Sequence, residues 1–194
     1  GLSAEQLLSG VCSDEIVREM NREFINIIKT AAGAGYTWTF SSSVDVQGRY
    51  ENEKYLALAN EINRQKLAVA QSSMRGQATF MIVTPKVLTA LKTLGLQTSD
   101  PLANTFMGTY DGMQVYCDLF DLSGEEAIWF GYKGASEIDA GKFYCPYVPL
   151  KINKGVGEED NIPRLFFSTR YGIADHPFGS DKFYRKLKIA GLPA

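Results

Sequence analysis

The dipeptide Asp111-Gly112 lies between Phe106-Met107-Gly108-Thr109-Tyr110 and Met113-Gln114-Val115-Tyr116-Cys117, and it leaves this stretch little conformational choice. A two-residue hairpin loop needs positive φ at both central positions, which Asp-Gly supplies at low steric cost. An antiparallel strand pair is therefore predicted at 106–110 and 113–119. Two further features ask for helices packed on a sheet. Residues 78–83 form a short apolar strand that runs into Thr84-Pro85, where Thr suits a helix N-cap and Pro, lacking an N–H, suits the first turn. Residues 129–150 read as two aromatic strands joined by a glycine-bounded polar turn.

Helical periodicity fills the N-terminal third. After Ser13 or Asp14, either able to cap, Ile16, Met20, Phe24 and Ile27 recur as one apolar stripe, opposite Glu15, Arg18, Glu19 and Arg22. Gly33 and Gly35 end that helix. A second spans 52–73, with Tyr55, Leu58, Ile62 and Val69 on one face and Glu53, Glu61, Arg64 and Lys66 on the solvated one, closed by Arg75-Gly76. A third follows Pro85 and stops at Gly95. Residues 36–46 suit extended structure or an ordered loop, 96–105 are irregular, and 151–161 read as a charged, glycine-bearing loop or boundary. Strands are expected at 127–133, 143–150, 164–173 and 183–189. Three helices and about seven strands make a mixed α+β chain.

Composition narrows the function. With 194 residues, 45% hydrophobic and 22% charged, the chain can build one real core, which excludes disordered and collagen-like classes. A net charge of -2 gives no basic footprint for sequence-specific nucleic-acid binding. No apolar run approaches the roughly 20 residues of a membrane span, and residues 1–11 lack the pattern of a signal peptide, so a soluble, unexported chain is expected. Cys12, Cys117 and Cys145 are odd in number and widely spaced, which suits reduced thiols in a cytosol-like compartment rather than a disulfide framework or zinc site.

Chemistry-bearing residues are few. His176, the one histidine, lies in the turn-like Ala174-Asp175-His176-Pro177-Phe178, and an ordinary turn role fits it better than service as a base for Cys117 or Cys145, since no signature marks either thiol as activated. Gly33-Ala34-Gly35 follows a helix instead of joining a strand to one, so it is a terminator and not a phosphate loop. Gly157-Glu158-Glu159-Asp160 lacks the alternating ligands of a cation loop and reads as a solvated bend. Glu137 and Asp139 belong to a polar turn rather than a carboxylate dyad. No catalytic, cofactor-binding or metal-ligating residue is assigned, and no cofactor is expected. Ten Tyr and eleven Phe suit a chain that buries surface against neighbours and equally suit a plain sheet core.

Several segments, taken in order, resemble one viral shell-protein family. They are Met20-Asn21-Arg22-Glu23-Phe24-Ile25, Val44-Asp45-Val46-Gln47-Gly48-Arg49, Arg75-Gly76-Gln77-Ala78-Thr79-Phe80, Gly108 with Gly112-Met113-Gln114-Val115-Tyr116, and Trp129-Phe130-Gly131-Tyr132-Lys133-Gly134 through Cys145-Pro146-Tyr147-Val148-Pro149. Ser168-Thr169-Arg170-Tyr171-Gly172-Ile173, Pro177-Phe178-Gly179 and Phe183-Tyr184-Arg185-Lys186-Leu187 complete the series. In this the chain resembles the C-terminal part of the major capsid (head) protein of T-even-like contractile-tailed bacteriophages.

The resemblance implies the shell fold shared by tailed phages and herpesviruses, with residues 1–35 and 162–194 in a peripheral domain and 36–161 in an axial one. It implies a structural protein, not an enzyme, that self-assembles late in infection into hexameric capsomers of an icosahedral head around double-stranded DNA. A vertex (penton) paralogue is the alternative, and a cysteine-dependent enzyme the rival from another class. Vertex, portal, scaffold and decoration proteins are the implied partners, with no membrane, and assembly in the host cytoplasm leads to the virion. The family's N-terminal arm and extended loop precede the matched part, so no residue here takes their roles. The 96–105 loop is the implied contact at the capsomer centre, and Arg170, Tyr171 and Phe178 are those on the peripheral side.

Overall fold

The structure, a computed structural model, describes residues 4–40, 50–96, 105–121, 123–157 and 163–192. Helix α1 (Ala4–Ala31) leads to strand β1 (Tyr36–Thr39), α2 (Glu51–Ser73), β2 (Phe80–Val83), α3 (Pro85–Thr93), β3 (Phe106–Tyr110), β4 (Met113–Cys117) and β5 (Ala127–Gly131). Two long strands follow, β6 (Lys142–Val156) and β7 (Pro163–Asp175), then a 3-10 turn (Ser180–Phe183) and β8 (Tyr184–Ala190). The mixed α+β expectation holds, with β1 as a strand beyond the seven expected.

Six strands form one sheet in the order β1-β8-β5-β2-β4-β3, while β6 and β7 pair only with each other. The β2–β4 and β1–β8 pairs are parallel and the rest antiparallel. Alternation along the strands divides the apolar residues between two faces. Met81, Val83, Met113, Val115, Ile128, Phe130, Leu187 and Ile189 meet Leu58, Ile62 and Val69 of α2 and Val87 and Leu91 of α3 in the main core. On the opposite face Ile82, Ala127 and Trp129 take Ile25 of α1, with Ile28 and Ala32 beside it. The predicted hairpin is present: Tyr110 pairs with Met113, and Asp111 and Gly112 have φ of 47° and 75°. Lys66 Nζ donates to both the Asp111 carbonyl (2.7 Å) and its carboxylate (2.8 Å), fixing the turn to α2.

The structure corrects four local expectations. α1 starts at Ala4, not at Ser13 or Asp14, and Ser13 Oγ donates back to the Ser9 carbonyl at 2.8 Å, an i−4 bond that absorbs its capping capacity inside the helix. Glu61 is buried rather than solvated, accepting from Gln65 Nε2 (2.7 Å) and Arg64 Nη1 (3.2 Å), and Gln65 in turn accepts from Arg185 Nε of β8 (3.0 Å). Thr84 stands at the N-cap of α3 without a side-chain cap bond; its backbone carbonyl accepts from Leu88 instead. The stretch from Lys151 to Val156 is strand, because residues 163–168 supply a cross-strand partner and Gly155 leaves room for the Phe166 ring.

Strand pairing also links the sequence segments divided at 161/162. β6 pairs with β7, and β8 sits in the middle of the main sheet between β1 and β5. The expectations for 41–49, 97–104 and 158–160 lie outside the described residues.

Candidate assembly surfaces

The chemistry-bearing residues lie apart from one another, each within its own local contacts. Cys117 is a core residue of β4, and burial first, then the neighbouring Asp118 charge, pushes its thiol up to about 11, the reverse of nucleophile activation. His176 is buried among Phe143, Phe178 and Phe183, with Nδ1 accepting the Phe178 backbone N–H at 3.2 Å. Cys145 is exposed on β6. Asp139 accepts from Arg75 Nη1 (2.5 Å) and the Tyr132 hydroxyl (2.8 Å), and the Arg75 hydrogen bond first, then Tyr132, holds its carboxyl below the usual range. Gly134 donates its N–H to the Asp139 backbone carbonyl at 2.7 Å, closing a turn whose Asp139 carboxylate is tied to Arg75 and Tyr132, while Glu137 is exposed. Gly35 closes the α1–β1 connection at φ 74° where a Cβ would lie 2.3 Å from the Lys186 carbonyl, as a helix terminator at a chain crossing requires. Among the described residues no group of three or more His, Cys, Asp or Glu is arranged to hold a metal. Among them too, no helix is long and apolar enough to cross a membrane.

What stands out is incomplete burial. β6 has 15 residues and none is buried; nor is any of residues 164–175 of β7. Pro146 and Pro149 remove backbone donors, and the register shifts between Pro146 and Val148 and between Val148 and Lys151 follow from that. Thr169 Oγ1 donates to the Val148 carbonyl across one shift, at 3.1 Å. The base of this ribbon rests on α1: Phe24 meets Tyr144 edge-on with ring centroids 5.0 Å apart and Tyr171 at 5.9 Å. The Tyr171 hydroxyl donates to Glu23, and that hydrogen bond, with smaller contributions from burial and charge, pushes its pKa up to about 12. Of the three expected peripheral contacts, Tyr171 therefore faces its own helix, Arg170 is exposed on the ribbon, and Phe178 is 73% exposed beside His176.

Nothing in the sequence pattern marked the anchor of α1. Lys29 Nζ donates to Asp118 and, at 2.9 Å, to Asp121, and lies 4.3 Å from the centroid of the buried Trp129 ring. Burial pushes the Asp121 carboxyl up, but hydrogen bonds from Ser123 and Lys29 outweigh it and hold the group below its usual value. Beyond periodicity, only the four-residue spacing from Ile25 places Lys29 on the helix face that packs on the sheet.

This arrangement is shared with a solved chain from Mycobacterium phage Che8, at a TM-score of 0.59 over 95% of this chain and 63% of that one, with 11% identity. It is the tailed-phage major capsid protein fold. The family model for major capsid protein Gp23 matches residues 1–189, and the chain belongs to that family. The major capsid protein of Vibrio phage KVP40 is 33% identical over 238 residues, covering 99% of this chain and 46% of that protein. Those of Serratia phage KSP90 and Enterobacteria phage T4 are 35% and 30% identical, each over 92% of this chain and over 44% and 39% of their own lengths. The chain spans about half or less of the length of these relatives.

Proposed function

We propose that this chain is a structural major capsid subunit, assembling with copies of itself into hexameric capsomers of an icosahedral phage head around double-stranded DNA. The observation that carries this reading is the β6–β7 ribbon, which buries no described residue in a chain of the Gp23 family. A two-stranded ribbon is marginal in water on its own, so its apolar residues need cover from a neighbour.

α1 and the ribbon form the peripheral part and the six-stranded sheet with α2 and α3 the axial part. Relative to the division at 161/162, this moves β6 outward and β8 inward. The 96–105 loop faces the capsomer centre; Arg170 and Phe178 face adjacent capsomers. Contact with DNA is not sequence-specific. Vertex, portal, scaffold and decoration proteins are further partners, and assembly in the host cytoplasm yields the virion. The role is not enzymatic, in keeping with a structural family and with the raised Cys117 thiol.

A cryo-electron-microscopic reconstruction of native particles tests this. Density for this chain at every six-fold capsomer is the expected result. Density confined to five-fold positions would make it the vertex paralogue, and its absence from the shell would overturn the reading.

A further inference from the structure

Two elements extend beyond what the described residues give them to rest on. α1 has 28 residues, about 42 Å at the usual helical rise, yet its packing on the rest of the chain comes from Arg22, Glu23, Phe24, Ile25, Ile28 and Lys29 near its C-terminal end. Upstream, Leu8 is 56% and Val11 67% exposed. Sixteen or so residues of unsupported helix are marginal in water. Leu8, Cys12, Glu15, Glu19, Arg22 and Asn26 recur at intervals of four and three, which keeps them on one face. The C-terminal end of that face is already an interface within the chain: Glu19, Arg22, Glu23 and Asn26 wall a cleft of about 530 Å³ whose far side is Lys142 and Asp175 at the ribbon base.

The ribbon is the second such element. Cross-strand register puts Lys151 opposite Ser168 and Asn153 opposite Phe166, and Phe166, Ser168 and Arg170 alternate onto one side of β7. That side therefore presents an exposed phenyl ring flanked by two exposed cations, Lys151 and Arg170. Neither 142–157 nor 163–174 contains an acid; Glu158, Glu159 and Asp160 fall between these segments in the sequence. Residues 4–23 of α1 carry five carboxylates, Glu5, Asp14, Glu15, Glu19 and Glu23, against two guanidiniums, Arg18 and Arg22; these reach Glu15 and Glu19 only at 3.9 Å between exposed side chains, weak pairs that leave the carboxylates available to further cations. Apolar-then-acidic helix and apolar-and-basic ribbon are complementary, and where the two meet within one chain a helix carboxylate, Glu23, accepts from the Tyr171 hydroxyl beside the Phe24–Tyr144 ring contact.

We propose that the overhanging face of α1, Leu8, Val11, Glu15 and Glu19, docks on the Lys151–Phe166–Arg170 side of the ribbon in a neighbouring copy of this chain. Leu8 and Val11 cover Phe166, and the two carboxylates face the two cations. The surfaces differ, so the contact is heterologous and propagates from copy to copy into a ring or a lattice. This rests on the shell-subunit reading above.

The test uses particles assembled from a mixture of ¹⁴N- and ¹⁵N-labelled protein carrying Cys145→Ser and Ser168→Cys. A short bismaleimide at neutral pH then links the native Cys12 of α1 to the introduced ribbon thiol, with mass spectrometry of the peptides as the readout. Cys117, buried and with its thiol raised to about 11, stays out of the reaction. The expected result is a mixed-isotope link between the helix and ribbon peptides. Its yield should fall about tenfold with Lys151→Glu plus Arg170→Glu, and return when Glu15→Lys and Glu19→Lys are added, because charge exchange restores complementarity. Particles that give only helix–helix or ribbon–ribbon links, same-isotope links, or no change on charge reversal would overturn the docking and leave the shell role intact. Failure to form any multimer would overturn both.

Discussion

β5 and β6 are built from similar residues and have opposite fates. Ala127–Gly131 buries all five of its residues between β8 and β2, with helices covering both faces of the sheet. Lys142–Val156 is three times as long, holds Phe143, Tyr144, Tyr147, Val148, Leu150 and Ile152, and buries none of them. Propensity does not separate the two strands; neighbours do. β5 finds partners on both edges and both faces within its own chain, whereas among the described residues β6 pairs with β7 and meets α1 and the His176 turn only near its Lys142–Tyr144 end. The sheet is thus buried within this chain, whereas the described residues leave the ribbon and the outer half of α1 exposed. Stability should reside in the first and assembly in the second.

The largest effect that would break this contrast lies in the sheet. Phe130 is fully buried at the centre of the main core, so Phe130→Ala should destabilise the isolated chain by about 3–5 kcal/mol through lost burial and a residual cavity. Urea unfolding monitored by far-UV circular dichroism measures it. A loss below about 1 kcal/mol would mean that the sheet is not where the chain keeps its stability.

Next comes the joint between the regions. Lys29→Ala leaves Asp118, whose side chain is 4% exposed, without its cation, at a cost of about 3 kcal/mol borne by α1 docking rather than by the sheet. Hydrogen exchange should rise across residues 20–31 while the amides of β2 and β5 stay protected. Uniform loss of protection would show that helix and sheet unfold as one unit. Adding Asp118→Asn and Asp121→Asn to Lys29→Met should recover most of the loss, since a neutral site removes both carboxylate charges that the lysine had compensated.

Acid probes the same joint more gently. The Asp121 carboxyl is held below its ordinary value, so its contribution is fully present above the unfolded pKa of about 3.9 and is lost as pH falls through the lower folded value. Trp129, beside Lys29, should report α1 loosening by fluorescence below about pH 4. Asp121→Asn should remove that step. The effect is smaller than for Lys29→Ala because Asp118 still holds the lysine.

Legibility in the sequence follows the same division. Where short-range chemistry decides, it can be read directly: Asp111-Gly112 demands its hairpin, Pro85 opens α3, and the Leu58, Ile62 and Val69 stripe buries as its spacing requires. Where partners come from far along the chain, it cannot. Lys29 reaches Asp118 across 89 positions, Gln65 meets Arg185 across 120, and β8 enters the sheet between β1 and β5, none of which leaves a periodic trace. The stretch from Lys151 to Val156 looked like a loop because its glycine and charges are unfavourable for a buried strand, and indeed it is a strand that is not buried. The proposed docking surfaces were hidden for a related reason: Leu8, Val11 and Phe166 resemble core residues until the structure shows that no described residue buries them.

The smallest effect on stability is the sharpest test. Phe166 is 54% exposed, so Phe166→Ala should change the unfolding free energy of the isolated chain by less than about 0.5 kcal/mol. If the ribbon is an interface, the same substitution removes an aromatic side chain from its centre, where truncation costs about 2 kcal/mol per contact and the loss repeats at every copy. Denaturant melts of the monomer and sedimentation of assembled particles, measured on one protein preparation, separate the two. Unchanged melting with particle yield cut at least about tenfold is expected, the ratio that 1.4 kcal/mol per contact already gives. Equal loss in both would place Phe166 in a fold-stabilising cluster and erase the distinction between sheet and ribbon.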